Sequence, residues 1–326
     1  MRVVQRIILL VAALIAVLFI MTSCTAQHVG QPAAPNADNQ NAKNAEEKLL
    51  VYTSFYPIYD FTSQIGGHRI EPVALIEGGN EPHTWEPDAV DFVGLEKADI
   101  FIYNGAGMEP WADKVLAALE NQSLMVVDTS NGIDLIAAGH HHHGDEDGHH
   151  GDEHTHEHES YDPHIWLSLR NAKQQCETIK QALSQADPEY ADYYQQNYDR
   201  YAAKLDELDA EYEQTLQGIS NRNLVVSHEA FAYLCRDYGL TQMAVEGLTP
   251  DSEPDAARMV EIIKFCKENH VTTIFFEELA SQKVADAIAK AAGVEVGMLT
   301  TEQSTNREGY LAFMRTNLQV LAEGLK

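Results

Sequence analysis

Leu49 to Ile76 reads LLVYTSFYPIYDFTSQIGGHRIEPVALI. Leu49 to Thr53 is a short apolar run of strand length. From Tyr56 to Ile65 the apolar residues fall three and four apart, at Ile58, Phe61 and Ile65, which is the period of a helix. The Gly66-Gly67 pair closes that helix. Ile70 to Ile76 returns to strand composition. Strand, helix and strand in so short a stretch predict a β-α-β unit, and with it a mostly parallel sheet covered by helices.

The alternation continues outward from this unit. The turn-rich GGNEPHTWEP follows, then a helix over Asp88–Lys97, a strand over Asp99–Tyr103, a Gly-containing loop, a helix over Pro110–Leu119 and a strand over Leu124–Asp128. After the motif DPHIWLS a helix is predicted from Arg170 to Ser184. Asp187 then caps, and Pro188 opens, a helix reaching Gln217. Along it Tyr190, Tyr194, Tyr198, Tyr201, Leu205, Leu208, Tyr212 and Leu216 form one stripe at helical spacing. At about 1.5 Å per residue this helix is ~45 Å long, longer than one small lobe. The stripe is therefore expected to be core packing along a connecting strut. After Gly218 come strands at Leu224–Ser227, Gln242–Leu248, Thr272–Glu277 and Val294–Leu299. The helices of this half run from His228 to Tyr238, Glu253 to Asn269, Ser281 to Ala292 and Glu308 to Leu325. The expected fold is α/β, with two β/α lobes (residues 48–186 and 219–326) joined by one long rigid helix (residues 187–218).

The chain start speaks to compartment. Arg2 and Arg6 precede fourteen uninterrupted apolar residues, Ile7 to Ile20, too few for a comfortable membrane span and right for a signal peptide. Met21-Thr22-Ser23-Cys24 resembles a bacterial lipobox, so residues 1–23 are expected to be removed and Cys24 to carry lipid. An ordinary signal peptide cut near Ala26 is the alternative. Residues 24–47, rich in Gln, Asn, Ala and Pro, read as a flexible tether. The expected location is extracytoplasmic, on the outer face of the cell membrane or in the periplasm. Cys176, Cys235 and Cys266 remain. Cys235 and Cys266 fall on apolar helix faces, which favours buried thiols over a bridge between them.

A formal net charge of −28 over 326 residues excludes a phosphate-binding face and thus nucleic acid as partner. Nine of the fifteen histidines crowd into one segment: His140, His141, His142, His143, His149, His150, His154, His156 and His158. Seven carboxylates are interleaved with them between Asp145 and Glu159. With no aliphatic residue, residues 139–160 are expected to be a disordered loop that collects divalent metal weakly. An expression tag does not fit a run that is internal, interrupted and mixed with carboxylates.

Ligands of parallel α/β sheets bind beyond the carboxyl ends of the strands. His83, His164 and His228 all fall at that rim, whereas His68 and His270 are expected at the surface and His28 lies in the tether. Three imidazoles with one carboxylate or water suit tetrahedral zinc. The carboxylates within reach by this reading are Glu81, Glu277, Glu278 and Glu302. Such a site should lose affinity below about pH 6 as protons compete.

Five stretches then carry a resemblance: NEPHTWEP around His83, DPHIWLS around His164, SHEAFAYL around His228, FFEELAS, and GYLAFMRTNL. In order, and with the lipobox and acidic His-rich loop, the chain from Leu49 to Lys326 resembles the zinc-specific solute-binding lipoproteins of metal ABC transporters, the A-I cluster. The resemblance implies metal in the cleft between lobes, held by His83, His164 and His228. It places the fourth ligand at Glu302 in TTEQS, with Glu81 or water as the alternatives. Manganese-type relatives carry a carboxylate where His228 stands, so the imidazole points to zinc. It further implies a monomer that hands Zn2+ to a membrane permease with a cytoplasmic ATPase, and no enzyme activity. The alternatives are carriage of manganese or another divalent metal, a metal-dependent adhesin, and a zinc hydrolase. The last lacks an HExxH motif, and Glu229 is expected to be a residue of a helix N-terminus.

Overall fold

The computed structural model describes residues 48–138, 160–249, 254–277, 280–301 and 309–326. Residues 47–326 form one compact unit. Two four-stranded parallel sheets make its frame. The first contains β1 (Leu49–Thr53), β2 (Ile70–Ala74), β3 (Ile100–Tyr103) and β4 (Met125–Asp128), in the order β2-β1-β3-β4. The second contains β5 (Asn223–Val226), β6 (Thr241–Ala244), β7 (Thr273–Phe276) and β8 (Glu295–Met298), in the order β6-β5-β7-β8. The two orders are the same. In each, the first strand of the run is interior and pairs on both sides.

The opening β-α-β unit forms as its pattern requires. Val51 and Thr53 of β1 point into the core, and α1 (Tyr56–Gly66) buries Ile58, Phe61 and Ile65 against it. Pro57 sits in the first turn of α1, where its missing N–H costs nothing. Gly67 ends the helix at φ +53°, ψ −131°, a conformation open essentially to glycine alone. A Cβ there would also run into the Tyr193 hydroxyl. α2 (Ala89–Leu95) starts on a capping box in which Asp88 and Asp91 serve each other's backbone N–H. α3 (Ala112–Ala118) and α4 (Leu169–Ala186) complete the cover of the first sheet.

A 3-10 turn over Pro188–Tyr190 leads into α5 (Ala191–Gln217), which has 27 residues. Its stripe is core, as the spacing implied. Tyr194, Tyr201, Leu205, Leu208, Tyr212 and Leu216 are buried, and the buried tyrosines still place their hydroxyls. Tyr194 donates to Asp187 at 3.0 Å, Tyr201 to Asp60 at 3.0 Å and Tyr212 to the carbonyl of Met314 at 2.6 Å. One hydrophobic core runs from β1 along α4 and α5 into β5, α6 (Ala232–Tyr238) and α9 (Tyr310–Gly324). A second, smaller core lies between the other face of the second sheet and α7 (Ala256–Glu268) and α8 (Gln282–Ala292).

Three expectations change. The Asp187 side chain caps no helix N–H and accepts instead from Arg69 at 2.9 Å and Tyr194 at 3.0 Å. The helix after β5 begins at Ala232 and not at His228, so Glu229 is no helix N-terminal residue. The N–H groups that would start an earlier helix are taken elsewhere: Glu229 donates to Gly247 O at 3.0 Å, Ala230 to His228 O at 2.8 Å and Phe231 to the Gln242 side chain at 2.6 Å. β6 also ends at Ala244, although Val245 and Glu246 extend the pairing with Val226 O and Ser227 O at 2.9 and 2.8 Å. Cys176, Cys235 and Cys266 are buried free thiols, and burial raises each thiol's pKa. Among the described residues no helix is long and apolar enough to cross a membrane.

Candidate metal centre

Three segments bring imidazoles together at the carboxyl ends of the sheets. His83 hangs from the loop after β2, where its backbone N–H donates to Glu81 Oε1 at 3.2 Å. His164 precedes a 3-10 turn over Ile165–Leu167 and is 1% exposed. His228 follows β5 by two residues and is 5% exposed.

Buried carboxylates fix two of the rings. Asp162 Oδ1 accepts both the backbone N–H of His164, at 2.9 Å, and its Nδ1–H, at 2.8 Å. Glu277, one residue past β7, accepts Nδ1–H of His228 on Oε2 at 2.9 Å, and the Ser227 hydroxyl bonds the same oxygen. A proton held on Nδ1 leaves the lone pair on Nε2, so this network assigns the tautomer. The Nε2 atoms then converge. His83 and His164 are 3.0 Å apart, and His164 and His228 3.3 Å. All three ligand atoms lie within 4.8 Å of one another. Nitrogens bound at about 2.0–2.1 Å around a tetrahedral zinc would stand about 3.3 Å apart, close to the two spacings that His164 makes.

Electrostatics favours a cation here. Burial, helped by the neighbouring His228, holds His164 well below the usual histidine range and keeps it neutral. Burial pulls His228 down too, but the charge and hydrogen bond of Glu277, with Glu81 and Glu246, outweigh it and raise the net value. Burial pushes Asp162 up to about 7, against the opposing pull of the His164 N–H and of His228. Burial also raises Glu81, countered by the His83 N–H and by His228. Asp162 Oδ2 and Glu277 Oε1 are buried with no partner among the described residues.

Of the expected carboxylates, Glu277 grips the far nitrogen of His228 and is its support. Glu81 borders the trio. Glu278, Glu302, the nine histidines from His140 to His158, and Cys24 lie outside the described residues. Trp166 Nε1 donates to the carbonyl of Thr301, directly before Glu302, at 2.6 Å. The Trp166 and His164 rings are 5.4 Å apart. His68 and His270 are exposed, as expected. The orienting role of Asp162 was not read from the sequence, though its place two residues before His164 was a usable signal. Asn104 was also missed. It is fully buried and donates to the carbonyl of Pro163 at 2.9 Å, bracing the peptide before His164.

A family model described as zinc-uptake complex component A periplasmic, ZnuA, matches residues 51–324. The chain belongs to the ZnuA family. The zinc-binding lipoprotein AdcA of Streptococcus pneumoniae is 37% identical over 289 residues, covering 87% of this chain and 57% of that protein. The chain thus spans little more than half the length of that relative. The high-affinity zinc uptake system protein ZnuA of Bacillus subtilis is 35% identical over 315 residues, 94% of this chain and 97% of that one. The crystal structure of the Zn(II)-bound ZnuA-like domain of Streptococcus pneumoniae AdcA superposes with a TM-score of 0.71 at 33% identity, covering 86% of this chain and 99% of that one. This likeness agrees with the two-lobed α/β fold and its long helix. The ZnuA family is one of metal-binding uptake components and not of known enzymes.

Proposed function

We propose that this ZnuA-family chain captures Zn2+ outside the cytoplasm on His83, His164 and His228 and delivers it to the permease of an ABC transporter. One observation carries the reading: three imidazole Nε2 atoms meet within 4.8 Å, with the Nδ1 atoms of His164 and His228 tied to buried carboxylates. Pre-oriented imidazoles suit zinc and disfavour harder ions such as manganese. The names of the relatives, a zinc-binding lipoprotein and a zinc uptake protein, point the same way.

In this reading Glu302 closes the set as a fourth ligand, with Glu81 or water as the alternatives. The chain acts as a monomer. Lipid on Cys24 holds it to the outer face of the membrane, with residues 24–47 as tether. The permease works with a cytoplasmic ATPase. The loop histidines collect metal weakly at the mouth of a tight site, which raises its local concentration. The chain performs no catalysis, because its zinc is cargo. Domain limits follow the same scheme: residues 48–186, the strut 187–218, and residues 219–326.

Chelator-competition titration tests the assignment. His83→Ala and His228→Ala each lose high-affinity zinc binding. Unchanged affinity in both variants would remove the trio as the binding site.

A further inference from the structure

Tyr233 lies on α6, five residues after His228, and its side chain is fully buried. Its hydroxyl accepts the N–H of Ile136 at 3.1 Å and donates to the carbonyl of Asp162 at 2.7 Å. Ile136 and Asp162 are themselves paired. The Asp162 N–H donates to Ile136 O at 2.9 Å, Ala138 N–H donates to Ser160 O at 2.8 Å, and Ala137 and Tyr161 form an antiparallel bridge. A single phenol from the second lobe therefore closes the ladder that leads into His164. From Asp162 the connection continues through the carboxylate to both the N–H and the Nδ1 of His164.

We infer that Tyr233 is a positioning residue for the metal centre, a latch that sets His164 of the first lobe against His228 of the second. The inference rests on the reading of the three histidines as the zinc site. Its basis is connectivity. His164 is aimed by Asp162, and the Asp162 peptide is pinned by a side chain from the helix that His228 leads into. No hydrogen bond among those described joins the rings of His164 and His228 except through their Nε2 atoms, which metal would occupy. The relative placement of the rings must then come from behind them, and the Tyr233 hydroxyl is such a tie. Burial pushes its pKa up to about 12, so it stays a donor throughout the physiological range. Deleting the hydroxyl leaves a buried carbonyl lone pair and a part-buried N–H unmatched, and removes one of the ties on the Asp162 peptide. Binding sites tolerate only about 0.5 Å of such drift before affinity falls.

The test compares two isosteric changes on one helix. Tyr233→Phe removes the latch. Tyr238→Phe removes a buried hydroxyl that donates to Asp209 at 2.6 Å, away from the histidines. Zinc affinity by chelator competition, the visible spectrum with Co2+ as probe, and melting of the metal-free proteins are measured for both. His164→Ala is the reference for loss of the site. The latch predicts that Tyr233→Phe binds zinc about tenfold more weakly, as for loss of one good hydrogen bond, and shifts the Co2+ bands. Tyr238→Phe lowers the melting temperature alone. Should Tyr233→Phe not fold, Ile136→Pro deletes the N–H that anchors the hydroxyl and must weaken zinc in the same sense. Wild-type affinity and spectrum in Tyr233→Phe, or equal losses in both tyrosine variants, overturn the latch while His164→Ala still loses the metal. Wild-type affinity in His164→Ala overturns the site reading itself.

Discussion

Oε2 of Glu277, just past β7, lies 2.9 Å from Nδ1 of His228, just past β5. The neighbouring strands β5 and β7 are paired through Val225–Ile274 and Val226–Phe275, so sheet register itself sets this contact. A metal-ligating histidine needs such a partner to hold its tautomer and ring plane. Glu277→Ala is expected to weaken zinc binding by about 10–100-fold, and Glu277→Gln by less, because the amide oxygen still accepts. Chelator competition on the purified proteins reads both.

A proton on His228 competes with zinc for its Nε2. Glu277, Glu81 and Glu246 raise that histidine against its burial penalty, while His164 stays neutral. A raised pKa means that proton competition begins above the ordinary histidine value of about 6.5 and grows as pH falls. Affinity is therefore expected to be flat at alkaline pH and to drop about tenfold per unit below the raised value. In Glu277→Gln the onset moves to lower pH. Titrations between about pH 5 and 9 at fixed chelator strength check the sign; an onset that stays put in Glu277→Gln would count against this coupling.

Removing the loop histidines should separate two classes of site. The bridge between Ala137 and Tyr161 and the bond from Ala138 to Ser160 close the ladder at its base, so deletion of His140–Glu159 spares the bonds to Asp162 and His164. One tight zinc equivalent is expected to survive, with loss of the weak ones. Calorimetric titration counts both.

Gly67→Ala should destabilise the fold by about 2 kcal/mol or more without touching the metal centre. The position needs φ +53° with ψ −131°, and a Cβ would press on Tyr193. Melting in the metal-free state reads the loss, and zinc affinity measured on the folded variant should match wild type.

Much of this arrangement is legible in the chain. The period switch between Leu49 and Ile76 marks β1, α1 and β2 to within two residues, because glycine and hydrophobic spacing act locally. His83, His164 and His228 stand out because strand-end histidines sit where parallel sheets bind ligands. Glu229 misled because helical composition continues back to His228, while Gly247 and Gln242, residues distant in sequence, capture the backbone. The supports Asp162, Glu277, Asn104 and Tyr233 are set by tertiary hydrogen bonds, which leave no periodic trace. Asp162 had a local cue in its two-residue spacing from His164, and Glu277 in its place at a strand end.

The proposed site holds zinc on the Nε2 atoms of His83, His164 and His228. Anomalous diffraction at the zinc edge, on crystals of the zinc-loaded protein, tests it most directly. One strong anomalous peak is expected, with these three nitrogens at about 2.0–2.1 Å and a carboxylate or water completing a tetrahedron. A peak ligated by other side chains, or by the Nδ1 atoms of His164 and His228, would contradict it.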